Sequence, residues 1–137
     1  DYAPANHQAM SDIREGKVLG VADSIPEQEV CLGERGGRLA VVGWGSTFGP
    51  IHQAVRRARA RGEDVSHIHI RHIWPLPKNL GDLLRGYERV IVPEMNKGQL
   101  KTLLRDQYLV DAKPVTKVSG QPFKIAEIEK AIAQALE

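Results

Sequence analysis

One short segment combines the glycines, hydroxyl groups and aromatic ring that could build a binding site. It follows the apolar run of residues 39–42, which predicts a buried strand, and it precedes Pro50, which predicts the first position of a helix. Backbone N–H groups at a helix N-terminus favour anions. The glycine spacing fits neither a dinucleotide fingerprint nor a P-loop, so we favour the alternative of a tight turn that packs the helix on a sheet. The segment consists of Gly43, Trp44, Gly45, Ser46 and Thr47.

A second polar segment follows another predicted buried strand, residues 90–92, and precedes a predicted helix. It contains Glu94, Asn96 and Gln99. Carboxyl ends of parallel strands meet at one edge of a sheet, where open α/β sheets usually bind ligands, so both segments should lie at that edge. Helix capping would by itself explain Asn96. For Glu94, a functional role and a packing role both remain open.

A third group of polar side chains lies on the predicted strand 65–73. Two-residue spacing places His67 and His69 on one strand face if Ile68 and Ile70 occupy the other. Two histidines at this spacing could bind a metal ion, but no neighbouring carboxylate or cysteine completes a ligand set. A structural or interface role is therefore the favoured interpretation.

Composition limits the class of protein. The chain has 137 residues, a normal size for one domain, and a net charge of +2, which argues against nucleic acid as the main partner. Cys31 is the single cysteine, so neither an internal disulfide nor a cysteine-based metal cluster can form. No apolar run approaches the roughly 20 residues that span a bilayer. We therefore expect a cytoplasmic protein that binds neither nucleic acid nor membranes.

The first residues suggest a piece of a longer polypeptide, because the chain begins with Asp1 and residues 1–25 lack an apolar stripe. We expect residues 1–25 to be an interdomain connector and residues 26–137 to be the folded domain. Within that domain, strands alternate with helices, which predicts a mainly parallel sheet covered on both faces. The strand 29–32 is expected to form an antiparallel hairpin with residues 38–43. The predicted core comprises Val41, Val55, Ile68, Ile70, Leu83, Ile91, Leu103, Val118 and Ile128.

Four motifs occur in a characteristic order. They are Gly-Trp-Gly-Ser-Thr at 43–47, Trp-Pro-Leu-Pro at 74–77, Glu-Met-Asn-Lys-Gly-Gln-Leu at 94–100, and Lys-Val-Ser-Gly-Gln-Pro-Phe at 117–123. This order resembles the C-terminal part of the alpha subunit of 2-oxoacid:ferredoxin oxidoreductases, especially the 2-oxoglutarate type. The resemblance covers nearly the whole chain, and the motif at 94–100 together with the one at 117–123 is its most specific part.

The resemblance implies a fold similar to the C-terminal domain of transketolase, a three-layer α/β/α unit with a mixed, mostly parallel five-stranded sheet. It also implies a parent enzyme that uses thiamine diphosphate, magnesium, coenzyme A and an iron–sulfur cluster. Such enzymes oxidatively decarboxylate a 2-oxoacid to an acyl-CoA and pass electrons to ferredoxin. Catalysis takes place where alpha and beta subunits meet, and other domains hold the cofactors.

None of the family's catalytic, cofactor-binding or metal-binding residues has a matching position here. The resemblance therefore implies a noncatalytic domain that serves assembly and subunit contacts and is inactive when isolated. Its partners would be the beta subunit and other domains of the same chain. The candidate interface, or active-site edge, consists of Gly43, Trp44, Gly45, Ser46, Thr47, Glu94, Asn96 and Gln99.

Two other classes of protein remain as alternatives. The first is a standalone nucleotide-binding domain: Arg71 and His72 follow the second parallel strand, where NAD-binding domains carry an acidic residue, although Arg71 would suit a 2′-phosphate. The second is the C-terminal domain of another thiamine enzyme, such as transketolase or the beta subunit of a 2-oxoacid dehydrogenase. Only the resemblance of residues 94–100 argues against the second alternative.

Overall fold

The computed structural model describes residues 24–95, 98–117 and 120–137. Almost all of the predicted connector, as well as Asn96 and Val118, lies outside these residues. The elements in chain order are β1 (Gly37–Trp44), a 3-10 turn (Gly45–Thr47), α1 (Phe48–Ala60), β2 (Val65–Ile70), α2 (Leu80–Arg85), β3 (Tyr87–Glu94), α3 (Gln99–Tyr108), β4 (Ala112–Thr116) and α4 (Ile125–Ala135). None of the described helices has both the length and the apolar character needed to cross a bilayer.

The four strands form one parallel sheet in the order β2-β1-β3-β4. Val41 of β1 lies opposite Ile91 of β3, and Pro93 of β3 lies opposite Val115 of β4. The prediction that these segments share one mainly parallel sheet is therefore confirmed. Among the described residues the sheet has four strands, where the resemblance implied five.

The predicted hairpin between residues 29–32 and residues 38–43 is wrong. Leu32 forms an isolated antiparallel bridge with His67 of β2. The N–H of Cys31 donates to the carbonyl of His67 at 2.8 Å, and the N–H of His67 donates to the carbonyl of Leu32 at 2.8 Å. The physical reason is that β1 lies in the middle of the sheet, where β2 and β3 occupy both of its edges. The segment therefore pairs at the free edge of β2 instead.

Alternate residues of each strand face opposite cores, so the domain has three layers, as predicted. One core lies between the sheet and α2 and α3, and the other lies between the sheet and α1 and α4. The first core includes Ala40, Val42, Ile68, Ile70, Leu80, Leu84, Leu100 and Leu104. The second includes Leu39, Val41, Ile51, Val55, Ile91, Ile128 and Ile132.

The predicted core is confirmed for Val41, Val55, Ile68, Ile70, Leu83, Ile91 and Ile128, all of which are buried. Leu103 is only partly buried, because Leu100 and Leu104, four residues apart, take the inward positions of α3. The helix α1 begins at Phe48, so Pro50 is its third residue. Proline is still tolerated there, since N–H groups of a first turn have no intrahelical partner.

Candidate interface at the carboxyl edge of the sheet

The strand order creates a topological switch point between β1 and β3. From β1 the chain crosses to β2 on one side, and it then returns past β1 to β3 on the other side. Ligands and partners of open α/β sheets commonly bind outside the carboxyl ends of the two strands at such a point. Here these strand ends are Trp44 and Glu94, and the indole Nε1–H of Trp44 donates to Oε1 of Glu94 at 3.2 Å. The prediction that both segments lie at one edge is confirmed.

Glu94 is a helix cap supplied by a neighbouring strand. Its side chain is 2% exposed, and Oε1 accepts a hydrogen bond from the backbone N–H of Leu100 at 2.8 Å. Oε2 accepts one from the N–H of Lys101 at 3.1 Å. Both N–H groups belong to the first turn of α3, where the helix dipole also favours a negative charge. Because this carboxylate accepts hydrogen bonds from three donors of its own chain, it holds α3 against β1 and β3.

The two other predicted residues of this segment, Asn96 and Gln99, lie close to the start of α3 in the sequence. Gln99 is the first residue of α3 and is half-buried beside Leu100. Gly98, immediately before it, has a φ of +76°, a left-handed conformation that suits glycine. This conformation brings the start of α3 back over Glu94. Asn96 lies outside the described residues, and the capping bonds that the structure does describe come from Glu94.

The turn after β1 is tightly packed. The hydroxyl of Thr47 donates to the carbonyl of Trp44 at 2.9 Å and accepts from the N–H of Trp44 at 3.2 Å. A Cβ on Gly43 would lie 2.5 Å from Cδ1 of Ile51 and 2.7 Å from Oγ1 of Thr47, so only glycine fits without displacement. Gly45 has a φ of +62° and, like Ser46, is exposed. These contacts favour the tight-turn interpretation for Gly43 and Thr47 and leave Gly45 and Ser46 facing outward.

The cleft between these two segments is small. It has a volume of about 140 Å³, and its lining consists of Trp44, Gly45, Ser46, Thr47, Glu94 and Met95. Pockets for cofactors and drug-sized ligands usually measure about 300–1,000 Å³. The described part of this edge is therefore smaller than a typical cofactor pocket.

A cluster of four rings borders the same turn. His67 and His69 lie on the strand face opposite to Ile68 and Ile70, as predicted, and on that face they contact α1. Sequence reasoning missed that α1 contributes Phe48 and His52. The Phe48 ring is stacked on His52 at 5.0 Å and contacts His67 at 5.0 Å and His69 at 5.1 Å. The four-residue spacing of Phe48 and His52, which places them on one helix face, was the signal that could have revealed them.

Two imidazoles of this cluster, His67 and His69, are in an environment that disfavours their charged forms. His67 is completely buried, and its Nδ1 lies 3.0 Å from Nδ1 of His52. Burial, with the added effect of His52 and His69, lowers the pKa of His67 from its usual value to about 3. Burial, and secondarily the charge of Arg71, also lowers the pKa of His69. Within the described ranges, no three histidine, cysteine or acidic side chains are arranged to hold a metal ion.

The described residues of the motif at 117–123, which are Lys117 and residues 120–123, form a clamp between the end of β4 and the start of α4. Nζ of Lys117 donates to Oε1 of Glu127 at 2.6 Å and to the carbonyl of Pro122 at 2.7 Å, and this lysine side chain is only 10% exposed. Phe123 is buried in the core below α4. The hydrogen bond from Lys117, together with one from the N–H of Lys124, lowers the pKa of Glu127. This motif thus has a structural explanation.

Replacing Lys117 with methionine should lower the melting temperature by several degrees. The change keeps the length of the apolar stem but removes both hydrogen bonds of the buried ammonium group, and the carbonyl of Pro122 loses its partner. Differential scanning calorimetry at neutral pH would measure the effect. Lys130→Met on the exposed side of α4 is the matched control and should leave the transition in place. Equal transitions for the two variants would refute the clamp.

The strand order, the three layers and the switch point between β1 and β3 together define an α/β domain with helices on both faces of a parallel sheet. Residues 38–130 match the sequence profile of the pyruvate:ferredoxin oxidoreductase core domain II. The chain belongs to this family.

Two relatives of this chain are subunits of 2-oxoacid oxidoreductases. The chain is 46% identical over 135 residues to the 2-oxoglutarate oxidoreductase subunit KorA of Mycobacterium tuberculosis, covering 98% of this chain and 20% of that subunit. It is 33% identical over 141 residues to subunit alpha of 2-oxoacid:ferredoxin oxidoreductase 2 of Aeropyrum pernix, covering 98% of this chain and 22% of that subunit. The chain thus spans about a fifth of the length of these relatives.

Two solved structures support the same fold. The 2-oxoglutarate:ferredoxin oxidoreductase from Magnetococcus marinus, with 2-oxoglutarate, coenzyme A and succinyl-CoA bound, matches with a TM-score of 0.83 and 30% identity, covering 100% of this chain and 24% of that chain. A split-gene transketolase, an inactive β4 tetramer, matches with a TM-score of 0.63 and 15% identity, covering 80% of this chain and 41% of that one. The resemblance stated from the sequence motifs, including the likeness to transketolase, is confirmed.

Proposed function

We propose that this chain is the noncatalytic C-terminal domain of the alpha subunit of a thiamine-diphosphate-dependent 2-oxoacid:ferredoxin oxidoreductase, preceded by a connector at residues 1–25. The parent enzyme would oxidatively decarboxylate 2-oxoglutarate, form an acyl-CoA and reduce ferredoxin. The names of the relatives, and the ligands bound to the Magnetococcus marinus enzyme, support this assignment. The proposed location of the enzyme is the cytoplasm.

The donor chemistry of this chain does not fit the cofactors of the parent enzyme. An iron–sulfur cluster needs several cysteines, whereas Cys31 is the single one in the sequence. In the part of the chain that the structure describes, magnesium would find no set of three histidine, cysteine or acidic ligands. We therefore assign magnesium and the cluster to other parts of the enzyme, and we place thiamine diphosphate there as well, as the family resemblance implies.

The proposed assembly role rests on one observation. The polar groups at the carboxyl edge make their hydrogen bonds within the domain. Glu94 is bonded to Trp44, Leu100 and Lys101, and the hydroxyl of Thr47 is bonded to the backbone of Trp44. What remains accessible is a surface with exposed Gly45 and Ser46. Phe48, 38% exposed, continues this surface. Exposed aromatic side chains beside polar groups are typical of interfaces.

We infer that this edge packs against another domain of the alpha subunit or against the beta subunit. The eight residues proposed from the sequence would then be interface residues, with Glu94 and Thr47 shaping the surface from within. A nucleotide-binding role is disfavoured because the cleft at this edge is about 140 Å³. A different thiamine enzyme is disfavoured because the likeness to transketolase comes with only 15% identity, which supports the fold alone.

Ser46→Arg in the full-length alpha subunit, co-expressed with its beta subunit, tests the interface. The exposed side chain adds bulk and charge at the edge without removing a buried contact, so we expect a roughly tenfold loss of assembly or turnover, because an unpaired charge is costly in an interface. Sedimentation measures assembly, and 2-oxoglutarate-dependent dye reduction measures turnover. Gln107→Arg, on the exposed side of α3, is the matched control and should behave like wild type.

Normal assembly and turnover of the Ser46→Arg enzyme would refute the interface. In that case the edge is a packed turn with no partner. Equal losses in Ser46→Arg and Gln107→Arg would also refute it, because the effect would then not depend on the position of the new charge.

A further inference from the structure

The four rings of Phe48, His52, His67 and His69, which we call the imidazole stack, join the first turn of α1 to β2. The stack contains one hydrogen bond, between Nδ1 of His52 and Nδ1 of His67 at 3.0 Å. Nε2 of His67 and Nδ1 of His69 are buried and have no hydrogen-bond partner among the described residues. The contact between α1 and β2 at this end of the domain therefore depends on ring packing and on a single N–H···N bond.

This arrangement excludes the state in which both His52 and His67 are protonated. An N···N contact of 3.0 Å needs one N–H and one lone pair, so two imidazolium rings would face each other with two hydrogens and no acceptor. A positive charge on buried His67 would also lie among aromatic rings, and no carboxylate of the described residues pairs with it. Protonation of the stack therefore opposes its closed geometry.

The charged groups around the stack do not offset this effect. Arg71 lies beside His69 and further disfavours its protonated form. The cleft on the far side of His69, between residues 26–31 and the end of β2, carries carboxylates, but none of them hydrogen-bonds to a ring of the stack within the described residues. The titratable and charged groups that line this cleft together with His69 are Arg71 and His72 from the end of β2, and Glu27, Glu29 and Cys31 from residues 26–31.

We propose that the imidazole stack is a proton-sensitive latch, which holds the first turn of α1 against β2 when its rings are neutral and releases Phe48 and that turn when they take up protons. Because the turn Gly45–Thr47 leads directly into Phe48, release of the latch would also change the shape of the carboxyl edge. The latch is a property of this chain alone and does not require a partner.

The direction of the pH dependence follows from linkage. His67 has a pKa of about 3 in the closed state, while a solvated histidine has a pKa of about 6.5, so opening takes up a proton between these values. The closed state is fully favoured above about pH 6.5 and is progressively lost as the pH falls toward about 3. His69, whose pKa is also lowered, acts in the same direction.

Native-state hydrogen exchange of the 137-residue chain, followed by NMR, tests the latch. Protection factors of the amides of His52, Gln53 and Ala54, corrected for intrinsic exchange, should fall roughly 30-fold between about pH 7.5 and about pH 5.0, the factor for one imidazole with the pKa of His67. Amides of α4 should keep their protection over the same range. A pH-independent protection of α1, or an equal loss in α4, would overturn the proposal.

Two variants and one spectroscopic measurement sharpen the test. His67→Phe keeps a ring but cannot be protonated, so the pH dependence in α1 should shrink severalfold, whereas His72→Gln, which changes an exposed histidine outside the stack, should retain it. If His67→Phe does not fold, the NMR chemical shifts of the imidazole nitrogens in the wild-type chain provide the test instead. They should report a neutral His67 in the folded chain at about pH 5.5. A folded chain with charged His67 and unchanged protection of α1 would overturn the latch.

Discussion

Replacing Ile91 by alanine is expected to lower the free energy of unfolding by about 2–5 kcal/mol. Ile91 is 5% exposed and lies on β3, which is paired on both sides, by β1 and by β4. Its side chain fills the core between the sheet and the helices α1 and α4, next to Val41 of β1. Truncation would leave a cavity that these packed layers cannot close, so the cost includes lost burial and lost contacts.

Urea denaturation at neutral pH measures this effect as a lower midpoint with an unchanged slope. Leu109→Ala provides the control, because Leu109 is 90% exposed and loses almost no buried surface on truncation. An unchanged midpoint for the Ile91 variant would mean that β3 is not a central strand, and the strand order would then be wrong.

Replacing Glu94 by alanine is expected to cost about 3 kcal/mol of stability, because three hydrogen-bond donors lose a buried, charged acceptor. Glu94→Gln should fall between wild type and Glu94→Ala. Its amide retains one oxygen acceptor but turns an NH₂ group toward a donor that the carboxylate had satisfied. Urea denaturation measures the stability, and exchange of the Leu100 and Lys101 amides reports directly on the cap.

Glu88→Ala is the matched control for this prediction, since Glu88 lies on the same strand but is exposed. If Glu94→Ala proves as stable as Glu88→Ala, the carboxylate is not a cap, and its burial at the switch point would indicate a role in binding or catalysis. If Glu94→Ala loses stability as expected, a loss of turnover in the parent enzyme would report on unfolding of the edge. Ser46→Arg therefore remains the better probe of the interface.

The sequence by itself determined most elements of the domain and, along β2, the orientation of the side chains. Alternation along β2 placed Ile68 and Ile70 in one core and His67 and His69 on the opposite face, because strand periodicity is a local property of the backbone. The positions of the buried strands followed from their apolar runs, and the edge shared by residues 43–47 and Glu94 followed from parallel pairing. The family followed from four motifs in order.

Only the tertiary structure decided which distant groups meet. Residues 29–32 pair with β2, because the long-range packing of the helices makes β1 central, and no local signal specifies strand order. Glu94 bonds to an indole 50 residues earlier in the chain, and His67 meets His52 across a helix and a turn. Such contacts depend on how the layers pack together. Local residue patterns predicted each partner's position along its own element, but the free energy that brings the partners together arises only in the assembled core.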